Sequence, residues 1–254
     1  MKRVGFFVYG VAAYALFFGT FLYAIGFVGN FVVPRSMDVG GAASPLWKAL
    51  LIDALLLGLF AVQHSGMARR GFKERWTRIV PREIERSTFV LFASGALALL
   101  FAFWRPIGAP VWVVADDLGR ATLIAVSLFG WFIVLVGTFH IDHFDLFGLR
   151  QAWNALVGRQ PAAHRFVTPG LYRVVRHPIY LGFIVAFWAT PVMTVGHLVF
   201  AAATTGYITI AIQLEERDLV RDYGEDYQLY RRDVPMLAPV PKRTASASRA
   251  KMRS

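Results

Sequence analysis

No cysteine occurs among the 254 residues. Disulfides, thiolate metal sites and a cysteine nucleophile are thereby excluded. Charge is scarce too: 17% of residues are Asp, Glu, Lys or Arg, against 56% hydrophobic, and the mean hydropathy is +0.49. An ordinary soluble domain balances these more evenly. Also lacking is the short alternation of apolar and polar residues that marks a transmembrane β-barrel. Long apolar runs stand in its place, several near or beyond the roughly 18–20 residues needed to cross a bilayer core. The sequence therefore predicts an all-α, polytopic transmembrane helical bundle.

Spans are predicted at about 4–33, 46–67, 87–104 and 120–141. Residues 178–214 form one apolar stretch of 37, too long for a single ordinary span. Pro191 and Gly196 near its middle divide it into a hairpin of two shorter helices, 178–193 and 197–214. Lys and Arg are unevenly placed. The segments before the first span, between the second and third, and between the fourth and fifth hold two, seven and five; the tail after residue 214 holds nine. Six spans put all of these on one side, in agreement with the positive-inside rule. Five spans, with 178–214 as one long or broken helix, stand as the alternative, so the bundle is expected to have five to six. The expectation is an integral protein of a bacterial inner membrane with both termini cytoplasmic. The N-terminal Met1-Lys2-Arg3 is read as the flank of a retained helix, because the apolar run that follows is too long for a signal peptide.

The net charge of +11 is explained by these loops facing anionic headgroups of the lipid bilayer. No nucleic-acid-binding motif is present. Beyond residue 214, Leu219, Tyr223, Tyr227 and Tyr230 recur at three- and four-residue spacing, which predicts a short C-terminal helix with one aromatic face. Gly224 is a candidate break. Residues 1–241 are read as a single membrane domain and 242–254 as a disordered basic tail.

The chemistry-bearing residues gather at the ends of the predicted spans. In "YRVVRHPIYLG", Pro178 suits the first turn of a helix, and the free N–H groups there favour an anion. Arg176 and His177 stand beside that end. They serve equally well as interfacial anchors. In "LEERD", Glu215 and Glu216 follow the last apolar run, where acids oppose the helix dipole. A hairpin returns them to the face that carries Arg176 and His177. One mouth then offers both charge signs, which suits a zwitterionic ligand.

"GLYRVVRHPIYLG" followed by "EERDLVRDYGEDYQLYRRDVP" resembles the C-terminal half of the integral-membrane S-adenosylmethionine-dependent methyltransferases. That superfamily includes the isoprenylcysteine carboxyl methyltransferases and the phospholipid methyltransferases. The resemblance implies a cytoplasmic-side S-adenosyl-L-methionine pocket lined by Arg176, His177, Tyr180, Leu181 and Gly182. It implies closure by Glu215 and Glu216, with Gly224, Glu225 and Tyr227 folding back over it. No glycine-rich Rossmann fingerprint is present. Together with "FAVQHSGMARRGFKERWTRIVPREIERSTFVL" and "IDHFDLFGLRQAW", these motifs resemble the methanethiol S-methyltransferases over most of residues 55–239. That resemblance implies a small thiol substrate, converted to dimethyl sulfide. A lipid amine or a prenyl-cysteine carboxylate would require the same cofactor half.

"HIDHFDLFG" crowds His140, Asp142, His143 and Asp145 at the end of the fourth span. These residue types suit a divalent metal, a base with its orienting partner, or helix capping by the aspartates. With only six histidines in the chain, no metal is assigned. His143, oriented by Asp142 or Asp145, is the first candidate base for a thiol, and His64 in "QHSGMARR" the second. A transporter or sensor would instead place polar groups across mid-membrane, where Asp53 is the main candidate.

Overall fold

The computed structural model describes residues 1–160 and 166–239. The basic tail 242–254 lies outside them. Among the described residues every regular element of the chain is helical apart from one small two-stranded ribbon. In order it forms α1 (Lys2–Gly29), α2 (Leu46–Ala68), α3 (Arg70–Trp76), α4 (Arg82–Phe103), β1 (Pro110–Val113), α5 (Asp117–Ile141), α6 (His143–Leu146), α7 (Leu149–Val157), a 3₁₀ turn (Gly170–Arg173), α8 (Pro178–Trp188), β2 (Val192–Thr194) and α9 (Val195–Asp233).

Among the described residues five helices, α1, α2, α4, α5 and α9, are long and apolar enough to cross a membrane. The all-α polytopic bundle is as expected. The first span is shorter than expected because Asn30 adopts the left-handed conformation (φ 58°, ψ 39°) and closes α1. Three short helices, α3, α6 and α7, occupy segments expected as loops.

The hairpin expected at 178–214 takes a different form. Helix α8 has 11 residues, about 16 Å of rise, half of a bilayer core. Its remaining passage is made by extended chain. Antiparallel to α5, α8 sets Ile179 against Gly137 and Ala186 beside Ser127, whose hydroxyl donates to the Ala186 carbonyl (2.9 Å). At the far end β2 pairs with β1, Pro110 opposite Thr194 and Val113 opposite Val192. The Val114 N–H donates to the Pro191 carbonyl (2.9 Å) and the Gly196 N–H to that of Ile107 (3.0 Å). The chain thus travels from the C-terminal to the N-terminal end of α5 between residues 178 and 194. Helix α9 returns alongside, capped by Thr194, which accepts from the His197 N–H (3.1 Å). Irregular backbone is tolerated at this depth because the ribbon satisfies its polar groups.

Small residues let α5 and α8 touch. A Cβ on Gly182 would lie 2.6 Å from the Gly130 carbonyl oxygen, and one on Gly130 2.7 Å from that of Gly182. Where lipid is as apolar as the side chains, such close packing holds helices together. Toward the far end, Phe27, Met37, Leu100, Trp104, Phe187 and Phe200 form the main core. Asp53, fully buried, uses Oδ1 to accept the Arg105 N–H (2.9 Å) and so fixes the turn after α4.

Candidate active site

At the basic end of the bundle, α8 and α9 bring together the two motifs singled out in the sequence. Pro178 occupies the first turn of α8, with His177 immediately before it. Two turns of geometry set Arg176. Gly170 takes φ +51° in the 3₁₀ turn, pressed against the His140 ring where any Cβ would collide. The Arg176 and His177 N–H groups then donate to the Pro235 (2.9 Å) and Met236 (3.2 Å) carbonyls. Residues 234–236 therefore lie across the start of α8.

Arg176 and Glu216 are buried and meet at 2.7 Å (Nε–Oε1). Glu216 Oε1 also lies 3.1 Å from His177 Nε2, and its Oε2 lies 3.6 Å from Arg231 Nε. Three positive or protonatable groups thus surround one carboxylate, which offsets the cost of burying it. Arg176 Nη1 donates to the Arg231 (2.7 Å) and Val234 (2.6 Å) carbonyls, so the guanidinium also caps the end of α9. Glu215 is more open, its side chain 45% exposed. It accepts from the Tyr180 hydroxyl (3.0 Å) and lies 3.8 Å from His177 Nδ1.

Helix α9 does not stop at residue 214 as expected. It runs on past the glutamates and kinks at Gly224 (φ 56°, ψ −125°). Beyond the kink Tyr227 is buried and its hydroxyl lacks a partner. The Tyr230 hydroxyl donates to the Tyr172 carbonyl (2.6 Å). Phe166 packs among Tyr223, Tyr227 and Tyr230 at ring separations of 5.3, 5.7 and 5.4 Å. Burial, reinforced by the Glu215 charge, pushes the Tyr172 phenol up. A cleft of about 250 Å³ beside this assembly is lined by Gln213, Glu216, Arg217 and Arg231.

Of the remaining residues singled out in the cofactor motif, Leu181 is half-buried in the first turns of α8, and Gly182 faces Gly130 of α5. The second cluster is arranged differently from expectation. His143 is buried, its Nε2 2.8 Å from the Tyr14 hydroxyl and its Nδ1 2.8 Å from Thr138 Oγ1. The Thr138 proton goes to the Leu135 carbonyl (2.6 Å). Nδ1 therefore donates to Thr138, and Nε2 accepts from Tyr14. The ring stacks on Phe139 at 4.3 Å and meets Phe144 and Phe147 edge-on. Burial holds its pKa below the usual histidine value, partly opposed by Asp142.

Neither aspartate orients that ring. Asp142 Oδ1 caps α6 through the Asp145 N–H (3.1 Å), and its Oδ2 pairs with Arg150 (2.9 Å). Asp145 Oδ1 accepts from Gln151 Nε2 (3.2 Å). Tyr14 and Thr138 carried no sequence signal beyond being polar residues within apolar spans. Among the described residues no group of three or more His, Asp or Glu is placed to hold a metal ion.

His64, on the last turns of α2, stacks on Phe60 (5.1 Å) and lies against Phe89 (5.0 Å). Its neighbour Ser65 bonds Tyr207 of α9 at 3.0 Å. One turn on, Arg69 pairs with Asp218 at 3.2 Å. These two contacts fasten the end of α2 to α9 on either side of the glutamates.

A membrane-spanning bundle whose charged mouth holds opposed acids and bases defines, with its family match, an integral-membrane methyltransferase. Residues 128–221 match the isoprenylcysteine carboxyl methyltransferase (ICMT) family. The chain is 56% identical, over 92% of its length and 81% of the relative's, to Methanethiol S-methyltransferase 1 of Bradyrhizobium diazoefficiens. It is 54% identical to Methanethiol S-methyltransferase of Mycobacterium tuberculosis, over 96% of this chain and 99% of that one. Methanethiol S-methyltransferase 2 of B. diazoefficiens is 52% identical, over 93% and 91%. No solved structure gives a significant match. The chain belongs to the family of the methanethiol S-methyltransferases and is an enzyme of the methyltransferase class.

Proposed function

We propose that the protein methylates methanethiol to dimethyl sulfide, with S-adenosyl-L-methionine as methyl donor. The observation that carries this reading is identity above 50% to methanethiol S-methyltransferases across nearly the whole chain. The donor's mouth is taken to face the cytoplasm of a bacterial inner membrane, with both termini on that side, because Lys and Arg crowd this end.

The residues present fit such a donor. Glu215 is half-exposed beside Tyr180 and suits an ammonium group. Tyr227 offers a buried hydroxyl without a partner. Arg176 and His177 hold Glu216 in place at the start of α8; Leu181 belongs to the same wall, and Gly182 supports it by seating α8 on α5. When bound, the donor supplies a methyl group on a positively charged sulfur. The protein's task is to position the acceptor sulfur in line and to exclude water. A thiolate meeting a sulfonium cancels two charges, which an apolar surrounding favours.

The test is a panel of acceptors with labelled S-adenosylmethionine and purified protein in detergent. Dimethyl sulfide formation from methanethiol is expected, with far less transfer to longer thiols, phosphatidylethanolamine or prenyl-cysteine. Preferential transfer to a lipid amine or a carboxylate overturns the reading. So does a failure to bind S-adenosylhomocysteine.

A further inference from the structure

A second group of buried polar atoms lies on α2 and α3, where the Ser65–Tyr207 and Arg69–Asp218 contacts hold α2 against α9 on either side of Glu215 and Glu216. His64 Nδ1, Gln63 Oε1 and Trp76 Nε1 are all buried and without a hydrogen-bond partner. Polar atoms inside a membrane bundle are costly to leave unpaired, so three together mark a place where something polar binds. Their surroundings are unusual. Gln63 Nε2 donates to the Met67 sulfur (3.2 Å). Met67, Phe89 and Val90 form a separate small core with Phe17, Trp76 and Phe147 around it. The Arg86 guanidinium lies over the Phe89 ring at 4.9 Å.

Aromatic rings, a thioether and a nearby cation suit a small sulfur ligand. Sulfur is polarizable and packs well on ring edges, and a cation favours the thiolate over the thiol. The group also connects to the donor mouth. Tyr207 bonds Ser65 at 3.0 Å and packs on Phe60, which stacks on His64. Tyr207 precedes Glu215 on α9 by about two helical turns, and Glu215 accepts from the Tyr180 hydroxyl.

We infer that the acceptor thiol sits among these side chains, between α2, α4 and α9, and that His64 Nδ1 takes its proton. This rests on the methyl-transfer reading above. It moves the base from His143, whose two nitrogens are both engaged, to a histidine with a nitrogen in hand. The thiol S–H bond breaks and its proton goes to Nδ1. The sulfur electron pair forms the new S–CH3 bond as the donor's S–CH3 bond breaks, with that electron pair staying on the donor sulfur. The imidazolium then gives its proton to solvent.

The variants are His64→Phe, which keeps the ring stack on Phe60 and Phe89, and His64→Asn. Dimethyl sulfide formation is measured from pH 6.5 to 9.5, and S-adenosylhomocysteine binding and the thermal midpoint in parallel. Both variants are expected to bind S-adenosylhomocysteine within threefold of the parent and to unfold at a similar temperature. Turnover near neutral pH is expected to fall on the order of 100-fold. The deficit should shrink as pH rises, because solution thiolate then needs no base. Turnover within threefold of the parent overturns the inference, as does a deficit that does not change with pH. Loss of S-adenosylhomocysteine binding also overturns it, by making His64 part of the donor site. If the unaltered protein binds S-adenosylhomocysteine but makes no dimethyl sulfide, the methanethiol reading itself fails.

Discussion

Arg176 and Glu216, 40 positions apart, meet at 2.7 Å with side chains 7% and 9% exposed. The pair does two things at once. It seats Glu216 at the mouth, and through Arg176 Nη1 it binds the carbonyls that end α9. Truncating either member strands the other charge. Arg176→Ala and Glu216→Ala are each expected to cost about 3–5 kcal/mol, read as a lowered unfolding midpoint in detergent. Arg176→Met combined with Glu216→Leu should recover part of that stability while S-adenosylhomocysteine binding stays lost. Full stability in either single variant would show that the pair is not buried in the working protein.

Gly224 tests the kink. A Cβ there meets no atom within 4 Å, so steric crowding is not the issue. Its φ of 56° with ψ of −125° is a backbone conformation available to glycine and strained for any other residue. Gly224→Ala is expected to add on the order of 1–3 kcal/mol of local strain and to loosen residues 225–236 from the start of α8. Amide exchange in that segment should rise, S-adenosylhomocysteine affinity should fall, and exchange in α5 should stay as it was. Unaltered exchange in 225–236 would mean that α9 adopts the kink without strain.

Gly182 belongs to the cofactor motif, yet its nearest neighbours are the Gly130 carbonyl oxygen and Val134. Both Gly182→Ala and Gly130→Ala push a methyl group into facing backbone, and each should destabilise by roughly 1–3 kcal/mol. Because the same approach also sets the start of α8, donor affinity should drop with stability in both variants. A Gly182→Ala protein of parental stability with weakened donor binding would instead make Gly182 a direct contact.

The all-α membrane class and the meeting of Arg176–His177 with Glu215–Glu216 were legible because they rest on run length and on hairpin return. The ribbon was not. Val192–Thr194 reads as part of an apolar run, and only the presence of Pro110–Val113 across the bundle makes it a strand. Nor could spacing show that Asp142 turns to Arg150 while His143 takes Tyr14, 129 positions away, as a partner. Within "HIDHFD" the aspartates are neighbours in sequence. In the fold they cap and pair around α6, and the histidine points into an aromatic cage.

That cage gives His143 a pH signature. Burial depresses its pKa, and both nitrogens bond in the neutral form. The unfolded chain then binds a proton more readily than the folded one. The contribution to stability is full above the unfolded value of about 6.5 and is lost as pH falls below it toward the depressed folded value. The unfolding midpoint of the parent should therefore drop between pH 7.5 and pH 5. His143→Phe, which keeps a ring against Phe139, should be less stable at pH 7.5 but show a shallower decline. Its methyl transfer should stay within a few-fold of the parent, since Tyr14 and Thr138 already occupy both nitrogens. Equal slopes in the two proteins would remove His143 as the source of the decline. A loss of turnover comparable to that of His64→Phe, with donor binding intact, would return the base to His143.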